Sequence, residues 1–355
     1  MSTTPRPLLL PRLWRWLLPG ALGLAVLLNL AYPTYRHYDF SYSPDTRSYL
    51  RLAAGRFDSV SVTRRYRLLV PLAAGALARP LAMLGSLPAQ PGAPAGEGAR
   101  RLAFYLINCA LLAAAAAAWY RAARLSGAGA GLAAVAMLAA LSSRWAGYAA
   151  GLPLTDSLYW LVLALAYYAG RRGPGAGWAV AVALLLGPLA KESFVFVLPW
   201  LAWYGRPALP WRGQALALAG GLGALLLAHR WVDEAAGALP TAAVGNALAH
   251  FDNIRYSLGK LATAKGLAEA ASSFGLLWGP VLAALAWPGG RRALAPVLRA
   301  AEGWWLLIVF VHMLLSADLG RMGYLAAPVV AGALALALGW LRRGPAAAGS
   351  ASFER

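Results

Sequence analysis

The chain has 355 residues, 60% of them hydrophobic and 13% charged. A soluble domain carries about twice that charged fraction, which excludes an ordinary water-soluble enzyme or binding module. The net charge of +19 comes from 32 Lys+Arg against 13 Asp+Glu, with arginines paired at the ends of apolar runs: Arg171-Arg172, Arg291-Arg292, Arg342-Arg343. That distribution fits the positive-inside rule and contact with anionic headgroups, and it argues against a nucleic-acid partner.

The first apolar run, 14–33, follows Arg6, Arg12 and Arg15 and reads as an uncleaved first helix with its N-terminus in the cytoplasm. A polar, aromatic loop over 34–65 comes next and is expected on the external side. Further spans are read near 66–85, 101–120, 127–142, 152–170, 177–190, 193–205 and 213–231. The Pro/Gly-rich segment 86–98 is a flexible linker. A second external loop, 233–271, contains a weakly amphipathic stretch over 247–265 expected to lie along the interface. Spans near 272–288, 303–316 and 322–341 complete a single domain over 1–343, and the tail 344–355 is expected to be disordered. The runs are Ala/Leu-rich and apolar all round, without strand alternation. The expected fold is therefore an all-α polytopic transmembrane helical bundle of about 10–12 spans.

Both termini carry cytoplasmic charge signatures, so the number of crossings should be even, whereas eleven runs are present. Either 66–85, broken by Pro71 and Pro80, or the short 127–142 is expected to be a hairpin or a non-crossing helix. The single cysteine, Cys109, lies inside an apolar run and reads as a packing residue. Gly127 and Gly131 form a small-residue packing motif. Heavy Ala, Gly and Arg usage points to a GC-rich, bacterial source.

Ionisable residues at membrane depth are costly to bury and are functional candidates for that reason. Pro44-Asp45 opens a short helix over 45–54, where Asp45 either acts as the N-cap or serves as a carboxylate base, with Asp39 beside it in the loop. Arg64, Arg65 and Arg67 stand on the external side against the charge rule, either as flanking charge or as a phosphate-binding cluster. Asp156 begins a span and reads as a cap with Thr155 and Ser157 or as a site acid. Lys191 and Glu192 are adjacent, so on a helix they point in different directions and do not simply neutralise each other. Asp318 and Arg321 occupy a short external turn, either paired or clamping an anion. His37, His229, His250 and His312 lack metal-ligand spacing, and no nucleotide-binding or serine-hydrolase motif is present.

The run Pro44-Asp45-Thr46-Arg47-Ser48-Tyr49-Leu50 resembles the acid-x3-Tyr opening of the first external loop in the GT-C superfamily of polytopic membrane glycosyltransferases. Arg65-Tyr66-Arg67-Leu68-Leu69-Val70-Pro71 is similar to the start of that family's second helix. Lys191-Glu192-Ser193 is similar to a Lys/Arg-Glu-Thr/Ser turn, and Gly320-Arg321 with Pro328 resembles a late Arg-containing turn. The resemblance spans residues 17–341 and rests on the order and shared sidedness of short motifs.

It implies an inverting transfer of a sugar from a polyprenyl-phosphate donor to an acceptor hydroxyl, at the periplasmic or exterior face of the cell's inner membrane. Asp45, with Asp39 second, would be the base. Lys191, Arg321, Arg65 and Arg67 would hold the donor phosphate, and Asp156, Glu192, Tyr49 and Asp318 would contact substrate. No nucleotide or redox cofactor is implied, and a divalent metal is not indicated. The acceptor is left open among glycan, lipid and protein, and the other partners are membrane lipids. A transporter or lipid flippase is the alternative from a different class, and a scaffold subunit is the third. Transporters often show internal repeats and mid-membrane polar sites, whereas here the polar residues gather toward one face.

Overall fold

A computed structural model describes residues 9–39, 43–84, 96–237 and 243–344. Among these residues the chain is helical throughout, with no strand. The first half comprises α1 (Leu9–Leu30), α2 (Tyr32–His37), α3 (Pro44–Ala53), α4 (Val62–Arg65), α5 (Leu69–Ala82), α6 (Gly98–Leu125), α7 (Ala130–Leu141), α8 (Arg144–Gly151) and α9 (Asp156–Arg172). The second comprises α10 (Gly177–Ala190), α11 (Leu198–Tyr204), α12 (Trp211–Ala236), α13 (Ala243–Leu261), α14 (Ala264–Ala271), α15 (Trp278–Ala286), α16 (Pro288–Leu294), α17 (Ala300–Ser316), α18 (Leu319–Gly323) and α19 (Ala327–Arg343). Most of the 86–98 linker and all but the first residue of the 344–355 tail lie outside the described residues.

Among the described residues, four helical stretches are long and apolar enough to cross a membrane: Trp14–His37, Gly98–Leu125, Trp211–Ala236 and Leu319–Arg343. The count reaches seven if three bent pairs each make one span, with bends of 64° at α7–α8, 77° at α14–α15 and 79° at α16–α17. That is fewer than the ten to twelve expected runs, and two further apolar helices, Leu69–Ala82 and Gly177–Ala190, are shorter. Apolar composition does not report helix continuity, and several runs break before reaching the ~30 Å of a bilayer core. The run at 193–205 is a 3₁₀ segment, Glu192–Val197, followed by the seven-residue α11. Both segments singled out by the parity argument are short: α5 has 14 residues, and α7 turns sharply into α8.

The described residues within 233–271 are mainly helical. α12 runs on to Ala236, and α13 with α14 forms a helical pair docked against α17 and α18.

Helix α9 sits at the centre, with α6 on one side and α10 on the other, while α6 also carries α1 and α5. The buried alanines Ala113 and Ala115–Ala118 let neighbouring backbones come close along α6. A Cβ on Gly23 of α1 would stand 3.6 Å from the Ala113 Cα, whereas one on Gly131 would meet nothing within 4 Å. The close small-residue contact is therefore α1 on α6, and the Gly127/Gly131 pair does not make one. Cys109 is fully buried in this layer. α12 contacts mainly α10 and turns Leu216, Leu226 and Leu227 outward, as a lipid-facing helix does.

Arg171, read from sequence as a flanking charge, is instead buried in a brace. It donates to the Glu302 carboxylate and the Pro296 carbonyl, both at 2.7 Å, and to the Ser126 hydroxyl at 2.6 Å. Removing one partner of such a pair costs about 3–5 kcal/mol, because it strands a buried charge.

The short α3 is seated on α5 through Gly75, where an added Cβ would lie 2.4 Å from the Ala53 carbonyl oxygen. Only a residue without a side chain lets the two helices approach this closely. Gly75→Val is expected to lower stability by about 1–3 kcal/mol by overpacking. Thermal unfolding in detergent measures it, and an unchanged melting temperature would show that α3 does not depend on this contact.

Candidate functional site

Helix α3 is capped by Ser43, whose hydroxyl accepts from the Thr46 N–H at 3.5 Å, so Asp45 is not the N-cap. Its carboxylate is free to reach across the first loop. There it pairs with the Arg64 Nε, and its other oxygen lies 3.9 Å from Arg321 Nη1. Arg64 also donates to the Ser61 hydroxyl at 3.1 Å.

Asp156 is placed by a break in the chain. Pro153 interrupts the run between α8 and α9, and the buried carbonyls of Leu152 and Leu154 accept from Asn108 Nδ2 at 2.9 and 3.1 Å. Asn108, fully buried on α6, thereby fixes the start of α9. The Thr155 side chain makes no capping bond, so Asp156 is the first helical residue rather than a cap. Its oxygens stand 3.6 Å from Arg321 and 3.9 Å from Lys191. A carboxylate in the first turn also favours the positive end of the helix dipole.

Lys191 and Glu192 diverge, as expected for adjacent residues. Lys191 faces Asp156, while Glu192 takes a two-pronged contact from Arg67 at 2.5 and 3.3 Å. Arg67 further donates to the buried Tyr49 hydroxyl at 3.1 Å. Arg321 is held by its own turn: its backbone N–H bonds Asp318 at 3.0 Å, and a Cβ on Gly320 would stand 2.5 Å from the Trp145 ring.

These groups surround a cavity of about 270 Å³. Asp45, Arg64, Arg67, Lys191, Glu192 and Arg321 form its charged side. Ser193, Asn253, His312 and Ser316 form a neutral polar side. His312 bonds the Ile308 carbonyl through Nδ1 at 2.8 Å, which makes Nδ1 the donor and leaves Nε2 to accept from Tyr159 at 2.7 Å. No group of three or more His, Cys, Asp or Glu side chains able to hold a metal exists among the described residues.

The two central cations are close to carboxylates without being bonded to them. Among the described residues, the one hydrogen bond of the Lys191 ammonium goes to the Met322 thioether at 3.4 Å. Arg321 Nε lies 3.0 Å from Asp318 Oδ2, yet the geometry is off-line and the N–H has no hydrogen-bond partner. Buried N–H groups normally find acceptors. Here the donors surround a space that an anion with several oxygens would fill.

The expected site residues divide accordingly. Asp45, Arg67, Lys191, Glu192 and Arg321 line the cavity, and Asp156, Tyr49 and Asp318 stand directly behind it. Arg65 does not line it: its guanidinium is buried against the Val60 carbonyl at 3.0 and 3.2 Å and lies 3.9 Å from Asp233. Arg64 takes that position instead. Asp39 lies in the electrostatic field of Arg101 and does not line the cavity. His312, Asn253 and Ser316 carried no sequence signal, since each sits singly in an unremarkable run. Comparison of the chain with protein-family models, curated proteins and solved structures gives no match.

Burial pushes the Lys191 amine down to about 8, with Arg67 and Arg321 adding to the fall and Asp156 opposing it. The ammonium is thus present below that pH and lost above it. Anion binding to the cavity is expected to weaken as pH rises through about 8. Titration with dodecyl phosphate at pH 6.5 and 9 measures this, and Lys191→Arg should flatten the dependence. Equal affinity at the two pH values would remove Lys191 from the binding role.

Proposed function

We propose that this protein is an integral membrane glycosyltransferase of the GT-C kind, using a polyprenyl-phosphate sugar donor at the external face of the inner membrane. The single observation that carries the reading is the convergence of Lys191 and Arg321, with unfilled donors, on the cavity that also holds Asp45. Phosphate chemistry needs fixed cations at the leaving group, and acyl-free sugar transfer needs a base opposite it.

A second feature favours a lipid-borne donor. An apolar groove of about 400 Å³ is lined by Trp278, Leu306, Val309, Phe310 and Met313. It is bounded by α17 and α18, the helices that also bring His312 and Met322 to the cavity. We assign this groove to the hydrocarbon tail of a donor whose phosphate occupies the cavity.

In the proposed reaction Asp45 removes the proton from an acceptor hydroxyl. That oxygen forms a bond to the anomeric carbon from the face opposite the phosphate. The carbon–oxygen bond to the phosphate breaks, and its electron pair leaves with the lipid phosphate, inverting the centre. Lys191, Arg321, Arg64 and Arg67 stabilise the charge developing on the phosphate. Arg64 replaces Arg65 in this role, and Asp39 has none. Glu192 and Tyr49 hold Arg67, while Asp156 and Asp318 hold Lys191 and Arg321.

Asp45→Asn is expected to reduce sugar transfer from polyprenyl-phosphate donors by about 10²–10⁴-fold, the usual contribution of a general base. Arg321→Gln and Lys191→Met should also reduce it, and Asp39→Asn should leave it intact. Radiolabelled donor and purified protein in lipid nanodiscs provide the assay. Full transfer by the Asp45 variant would overturn the catalytic assignment. Movement of a phosphate lipid across vesicles without any transfer would assign a flippase instead.

A further inference from the structure

The cavity's charges already balance. Arg64, Arg67, Lys191 and Arg321 face Asp45, Asp156, Glu192 and Asp318. A phosphate ester brings further negative charge, about −1 to −2 depending on its substitution. A carboxylate that gives up its cation would offset that added charge.

Three of the four are fixed. Asp156 is nearly buried at the head of α9, beside both Lys191 and Arg321. Asp318 accepts the Arg321 backbone N–H and so shapes the turn itself. Glu192 is held by two guanidinium nitrogens of Arg67. Asp45 differs. It has one close contact, to Arg64, and a long one at 3.9 Å to Arg321. Its side chain caps nothing.

We propose that Asp45 is the internal counter-anion of the empty cavity, and that an incoming phosphate replaces it on Arg64 and Arg321. This rests on reading the cavity as a phosphate site. The exchange links binding to chemistry: it frees the Asp45 carboxylate from Arg64 as the donor enters, so the donor binds before the acceptor.

The test is calorimetric titration of the purified full-length protein in detergent with two probes, dodecyl phosphate and inorganic phosphate. Asp45→Asn removes the competing charge and is expected to tighten binding on the order of tenfold, from the repulsion of two charges a few ångströms apart. Arg64→Gln breaks the same pair from the other side and is expected to weaken binding; a variant that merely loosens the fold would not give opposite signs. Asp58→Asn, an exposed acid outside the site, should match the wild type. Unchanged or weaker binding by the Asp45 variant, or an equal gain from Asp58→Asn, would overturn the exchange while leaving the phosphate site standing. Tightening seen with inorganic phosphate alone would uphold the exchange and overturn the lipid donor. No binding of either probe by the wild type or the Asp45 variant would overturn both the exchange and the proposed function.

Discussion

Two positive charges, Lys191 and Arg321, are held nearly out of water at the edge of an apolar bundle, and much of the architecture follows from that constraint. An unpaired buried cation costs several kcal/mol, so carboxylates have to stand close by. They come from three distant parts of the chain: Asp45 on α3, Asp156 at the head of α9, and Asp318 before α18. Bringing these segments together requires the break at Pro153 and the buried Asn108 that satisfies it. It also requires close contact at Gly75 and at Gly320, where a Cβ would collide with Ala53 or Trp145.

The same charged types at the other buried pair show what separates structure from binding. Arg171 makes three hydrogen bonds, to Glu302, Pro296 and Ser126. Its donors are used, and it ties α6, α9 and the approach to α17. Arg321 makes no side-chain hydrogen bond among the described residues, although three carboxylates lie within 3.9 Å. A guanidinium has five N–H donors in a fixed plane, and leaving them unused beside an open space is costly. The arrangement is balanced in charge and incomplete in hydrogen bonding, which an oxyanion would correct.

Much of this site was legible before the fold. Ionisable residues are so few in the apolar runs that Asp45, Asp156, Lys191, Glu192 and Arg321 stood out by rarity alone. The choice among neighbours was not legible. Arg64 and Arg67 point into the cavity and Arg65 away from it, because α4 ends at Arg65 and the turn at Tyr66 redirects the chain before Arg67. Asp39 and Asp45 are equally acidic in sequence, and only the seating of α3 separates them.

Composition by itself determined that apolar runs dominate this chain, since hydropathy is a sum over local residues. It also determined which residues are too costly to bury without a purpose. The number of continuous spans, the burial of Arg171 with Glu302, and the entry of His312, Asn253 and Ser316 into the cavity wall were decided by tertiary structure. Each depends on where a helix breaks and which face meets a distant segment, and those are properties of packing that no local window contains.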